Sequence, residues 1–153
     1  MQQFIINEDL SFFYLNSEDI ENTWEHLCLY LEKSVPYSSG YISLEQYKNM
    51  ITQPETNYGV WTVWFDERML GVIITKFERI GNCLVLDYET MAGSDIHLWL
   101  EESITNFERL MSKEFNVDQF RIIGRPGWFK ILKNIGYDLS HTVIIKKNKY
   151  KET

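Results

Sequence analysis

The chain is predicted to be an α/β (α+β) protein: a mixed central sheet with an antiparallel meander, flanked by about four helices. Three observations carry this. Residues 59 to 91 hold three β-rich segments separated by two tight turns. The first two of those segments are apolar on both faces, so helices are needed on each side of the sheet. A long amphipathic helix then hands over to a short strand and a second helix, an order that needs a parallel crossover.

The elements follow in order. A short apolar strand is expected near Phe12 to Leu15, after which Asn16 or Ser17 caps a helix with Glu18 and Asp19 in its first turn, where the helix dipole favours them. Ile20, Trp24, Leu27, Cys28 and Leu31 recur at helical spacing and mark a core stripe. Pro36 and Gly40 are expected to break the chain before a second helix from Leu44 to about Thr52, apolar along Leu44, Tyr47 and Ile51. The meander comprises Val60 to Phe65, Met69 to Phe77 and Cys83 to Thr90, turning at Asp66-Glu67-Arg68 and Ile80-Gly81-Asn82. In its third strand Leu84, Leu86 and Tyr88 share one face, and Val85, Asp87 and Glu89 the other, which sets two carboxylates side by side.

Gly93 ends the meander, and Ser94 or Asp95 caps the longest helix, which runs to about Phe115 with a buried stripe of Ile96, Leu100, Ile104, Phe107 and Met111. A strand is expected from Gln119 to Ile123. Then comes Gly124-Arg125-Pro126-Gly127-Trp128, with Pro126 opening a helix that buries Trp128, Ile131, Leu132 and Ile135 and stops at Gly136. Tyr137 to Lys147 is expected to close the sheet as a strand or a short hairpin.

With 153 residues, 44% of them hydrophobic and 15% aromatic, the chain is expected to form one domain with ample material for a core. Its last residues, 148 to 153, read as a flexible basic tail. No apolar run approaches the ~20 residues of a spanning helix, and Met1-Gln2-Gln3 does not open a basic-then-apolar signal. A cytoplasmic protein is therefore expected, with Cys28 and Cys83 as unpaired buried thiols in a reducing compartment. His26, His97 and His141 lack metal-ligand spacing, and no Gly-x-Ser-x-Gly occurs, so metal centres and serine hydrolases are set aside.

The net charge of −7 is unevenly spread. Residues 1 to 120 hold 7 Lys and Arg against 20 Asp and Glu, whereas residues 121 to 153 hold 8 against 2. The basic end, with Lys146, Lys147, Lys149 and Lys151, is either a solvated tail or a dock for an anionic partner.

The element order resembles that of the GNAT superfamily of acyl-CoA N-acyltransferases. More pointedly, Gly124-Arg125-Pro126-Gly127-Trp128, then Leu132, then Gly136-Tyr137 resembles small GNAT-like proteins of tailed bacteriophages. The resemblance implies acyl transfer from acetyl-CoA to an amine, in the host cytoplasm or as a virion component. It implies that the loop Met91, Ala92, Gly93, Ser94, Asp95 and Ile96 faces the cofactor pyrophosphate at a helix N-terminus. That loop carries one glycine and no leading basic residue, a departure from the family's Gln/Arg-x-x-Gly-x-Gly/Ala pattern. Glu89 and Asp87 border the implied acceptor site and are the candidate bases. The family's tyrosine acid falls on Leu132, leaving Tyr88, Tyr137 or water as substitutes, while Arg125 and Trp128 sit where a ligand's anionic group can be gripped.

Three functions stay open at this stage. One is an acetyl-CoA-dependent acyltransferase. Another is a GNAT-fold binding or virion assembly module without catalysis, whose partner is a protein. The last is a nucleic-acid-associated protein acting through the basic end, against the overall negative charge. An exposed edge strand also allows pairing between two copies.

Overall fold

The computed structural model describes residues 1–38, 43–122, 127–139 and 150. Six strands form one sheet in sequence order: β1 (Gln2–Ile5), β2 (Leu10–Leu15), β3 (Tyr58–Phe65), β4 (Arg68–Ile80), β5 (Cys83–Gly93) and β6 (Gln119–Ile122). Neighbours from β1 to β5 are antiparallel, and β5 pairs with β6 in parallel. The helices are α1 (Ser17–Ser38), α2 (Leu44–Ile51), α3 (Ile96–Phe115) and α4 (Gly127–Leu132), the last continued by a 3-10 turn at Lys133–Ile135. The mixed sheet with helices on both faces is the architecture that the sequence predicts.

Local chemistry explains most boundaries. Asn16 caps α1 through its side-chain oxygen, which accepts from the Asp19 N–H, while the Asp19 carboxylate accepts from the Asn16 N–H. Ser43 and Gln46 make the equivalent reciprocal pair at α2. Gly136, at φ 95°, ends the turn after α4 in the left-handed region that glycine adopts most readily. The helix α1 runs through Pro36 instead of stopping before it. A proline there removes one hydrogen bond near the helix end, a smaller loss than in mid-helix.

Two apolar layers enclose the sheet, as the strands' double-sided hydrophobicity requires. On one face Leu15, Val60, Val72 and Ile74 meet Ile20, Leu27 and Leu31 of α1 and Tyr47 and Ile51 of α2. On the other, Phe12, Trp61, Val63, Ile73, Leu86 and Tyr88 meet Trp99, Leu100, Ile104, Phe107 and Met111 of α3. Cys83 is exposed at the start of β5 and Cys28 is half-buried, so neither thiol is the fully buried group expected. The closing strand expected over Tyr137 to Lys147 falls largely outside the described residues. Its described start, Tyr137–Leu139, is irregular.

Candidate functional site

The register of β5 against β4 changes in the middle of the strand. Thr75 pairs with Tyr88 but Ile74 pairs with Thr90, so Glu89 is an extra residue opposite a single partner, a β-bulge. The bulge shifts the phase of alternation. Leu86 and Tyr88 join the α3 side before it, and Met91 joins the same side after it. Pairing of β5 with β6 is described only as far as Tyr88 opposite Ile122, while β5 itself continues to Gly93. Glu89 therefore stands where the strand changes phase.

The two carboxylates singled out in the sequence share the α1/α2 face but have different surroundings. Asp87, only 5% exposed, is held by Arg121 of β6: Nε donates to Oδ1 at 2.5 Å and Nη2 to Oδ2 at 2.9 Å. The same Nη2 also reaches Glu78 Oε2 at 2.8 Å, tying three strands together. With both carboxylate oxygens engaged by the Arg121 fork, Asp87 takes a structural part. Glu89 is half-buried and makes no ion pair among the described residues. Burial raises its proton affinity above that of an ordinary glutamate; nearby Lys76 opposes this and the charge of Asp87 adds to it.

The loop expected to receive a pyrophosphate is built around an indole. The ring of Trp99 lies against the facing pair Gly71 and Gly93. A Cβ on Gly93 would sit 2.4 Å from the Leu70 carbonyl oxygen and 2.7 Å from the Trp99 ring. Trp99 Nε1 donates to the Ser94 carbonyl at 2.7 Å, and the Ser94 N–H donates to Leu70 at 2.9 Å. Gly93 thus serves close packing, and the Ser94 amide is already engaged. Met91 and Ala92 are buried within β5. Asp95 is exposed at the N-cap of α3 in the left-handed region, and its side chain makes no capping bond. No acidic side chain lies in the first turn of α3, which Ile96 opens. That turn is where main-chain donors remain for an anion.

On the α3 side, behind the bulge, the structure gathers three groups that the sequence leaves apart. The Tyr137 hydroxyl donates to Glu108 Oε1. Burial raises the Tyr137 pKa far above the phenol range, and Tyr88 and Glu108 add to the effect. Glu108 is itself raised by burial, although its bond from Tyr137 opposes the shift. Tyr88, 2% exposed, interacts electrostatically with Tyr137 and Glu108, yet its hydroxyl makes no hydrogen bond of good geometry among the described residues. Leu132, the position of the family's tyrosine acid, is buried in the α3-side core. Sequence reasoning missed Glu108 because its link to Tyr137 spans 29 residues and crosses from α3 to the segment after α4.

Arg125 and the side chain of Trp128 lie outside the described residues, as does most of the basic C-terminal region. Among the described residues no cluster of His, Cys, Asp and Glu is placed to hold a metal ion. No described helix is long and apolar enough to cross a membrane.

No family model and no curated protein matches the chain. Solved structures do. An integron cassette protein from the mobile metagenome of V. cholerae superposes with a TM-score of 0.65 at 10% identity, covering 93% of this chain and 95% of that one. A GNAT family acetyltransferase from Staphylococcus aureus gives 0.64 at 13% identity, covering 91% and 98%. An aminoglycoside N-acetyltransferase, AAC(6')-Iy, solved in complex with CoA gives 0.62 at 11% identity, covering 95% and 99%. The chain has the fold of the GNAT acetyltransferases.

Proposed function

We propose that the protein is an acyl-CoA-dependent N-acyltransferase in which Glu89 is the base. The bulge carries this reading: it sets a half-buried carboxylate with raised proton affinity, free of any described ion pair, where β5 changes phase. Acyl transfer to an amine needs a base whose pKa is drawn towards neutrality, and burial supplies that here. Glu89 accepts the proton of the incoming ammonium, so that the nitrogen can bond to the acyl carbon as the bond from that carbon to sulfur breaks. Bound acetyl-CoA would supply the acyl group as a thioester. Water returns a proton to the departing thiolate, because the Tyr88 hydroxyl is buried on the α3 side, across the sheet from Glu89.

The chain fits the cofactor through its main chain and not through the family's glycine loop. Gly93 and Ser94 are committed to Trp99 and Leu70, so the phosphate contact falls to the first turn of α3. The test is calorimetric titration of acetyl-CoA into the wild type and Glu89→Gln, with thiol release followed over a panel of amines. Saturable binding by both proteins with turnover only in the wild type is expected. Equal turnover in the two removes Glu89 as the base, and no heat at millimolar ligand removes the reading.

The engaged loop favours a second reading, a GNAT-fold module without catalysis, such as a phage assembly or virion component binding a protein partner. The filling of the Gly71–Gly93 space by Trp99 supports it. Failure of the chain to bind acetyl-CoA, together with retained cooperative unfolding, is the outcome that selects it.

A further inference from the structure

Beside Glu89 the sheet carries a cation that the fold leaves without a carboxylate. Lys76 of β4 lies opposite Asp87 of β5 on one edge and opposite Tyr58 of β3 on the other. Residues directly opposed across strands share a face, so Lys76 stands on the α1/α2 side with Asp87 and Glu89. Two residues beyond Asp87, Glu89 is the diagonal neighbour of Lys76, about 7–8 Å away.

Lys76 is half-buried, and its ammonium sits over the Tyr58 ring, 5.5 Å from the centroid. Its charge acts on both Glu89 and Tyr58, and the charge of Glu89 acts on Tyr58 in turn, so the three groups meet at one place on the sheet. Neighbouring cations are matched: Arg121 is held by Asp87 and Glu78, and Lys48 of α2 by Glu21. Lys76 makes no ion pair among the described residues, and the carboxylate directly opposite it, Asp87, is taken by Arg121.

An ammonium next to the base is an obstacle to a plain amine. The cation that must approach Glu89 is repelled by Lys76, and a second positive charge on the acceptor adds to the repulsion. An acceptor with its own carboxylate meets the reverse, because each of its charges finds an opposite one. We infer, resting on the acyltransferase reading above, that the acceptor is a small primary amine that also carries a carboxylate, its ammonium at Glu89 and its carboxylate at Lys76. Lys76 is then the residue that selects the acceptor. The nitrogen bonds to the acyl carbon, the bond from that carbon to sulfur breaks, Glu89 takes the proton of the nitrogen, and the product is an N-acylated amino acid.

The test compares β-alanine with propylamine, which keeps the ammonium and the chain but lacks the carboxylate, and with 1,3-diaminopropane, which puts a second ammonium in its place. Binding to the full chain is read first, by saturation transfer to each ligand, and needs no turnover. β-Alanine is expected to bind roughly tenfold more tightly than propylamine, the weight of a charge-assisted hydrogen bond, and the diamine more weakly than either. In Lys76→Met, shown to be folded by its thermal melt, the preference for β-alanine is expected to vanish, and in Lys76→Arg to return. Thiol release with acetyl-CoA then gives kcat/KM for the same amines, where the same preference is expected, carried by KM. Equal binding of β-alanine and propylamine to the wild type, or an undiminished preference in Lys76→Met, overturns the inference, while turnover of propylamine would still uphold the acyltransferase reading. If no amine is turned over, that reading falls and the acceptor role with it, whereas the binding preference still decides whether Glu89 and Lys76 hold the two charges of one molecule.

Discussion

The strand β5 treats a carboxylate in two ways within three residues. Up to Tyr88 it is paired on both edges, and Asp87 is buried but matched by a guanidinium on the neighbouring strand. At Glu89 the ladder gains an extra residue, and the side chain is half-buried with no ion pair among the described residues. Burial sets the cost of charge and the partner decides whether that cost is met. Asp87 is therefore a fastening between strands. Glu89 has a raised proton affinity and the freedom to use it.

The largest expected effect separates these roles. Glu89→Gln is expected to lower acyl transfer by ~10²–10⁴-fold with acetyl-CoA binding retained, checked by thiol release at saturating amine. Removing the partner of Asp87 tests the other side of the comparison. Arg121→Met leaves a buried carboxylate unmatched and is expected to cost about 3 kcal/mol in stability, read from the urea midpoint. A cost below about 1 kcal/mol would place Asp87 among solvent-screened pairs and end the contrast.

Gly93→Ala sharpens the comparison beyond the bulge. Its Cβ would lie 2.4 Å from a main-chain oxygen, which cannot swing away, so a loss of about 2 kcal/mol is expected in the same assay. The smallest effect is in pH. Because the folded-state pKa of Glu89 is raised, its protonated form favours folding: its contribution is full below the unfolded glutamate pKa and is lost as pH rises through the folded value. The stability of Glu89→Gln relative to wild type should therefore increase across that interval and level off above it. Thermal melts across mildly acid to neutral pH check the sign, and a relative stability that falls with pH would mean that the folded protein favours the ionised form.

The elements that sequence made legible are those governed by short-range signals. The meander turns, the α2 capping box and the stripe on α3 each lie within a few residues of their cause. Strand β1 was missed because Gln2–Ile5 is short, half polar and paired on one edge only, so its extended form depends on β2. The bulge was missed because no residue type at Glu89 demands one; it appears only in the register with β4. Both carboxylates were found from strand alternation, yet only the position of Arg121 across the sheet tells them apart. Gly93 read as a loop glycine for a ligand, and the competing claim of Trp99 comes from six residues further on, around the start of a helix.

The inserted residue at position 89 also divides β5 into two reading frames for mutation. Before it, even-numbered positions face α3, and after it odd-numbered ones do, as Leu86, Tyr88 and Met91 show. A scan of polar substitutions along the strand would therefore swap parity at a single point. Deleting one residue there would move Thr90, now bonded to Tyr47 on the α1/α2 side, into the α3 core, and Met91 out of it. Between Tyr88 and Thr90 a frameshift of one is a larger injury to this protein than most substitutions could be.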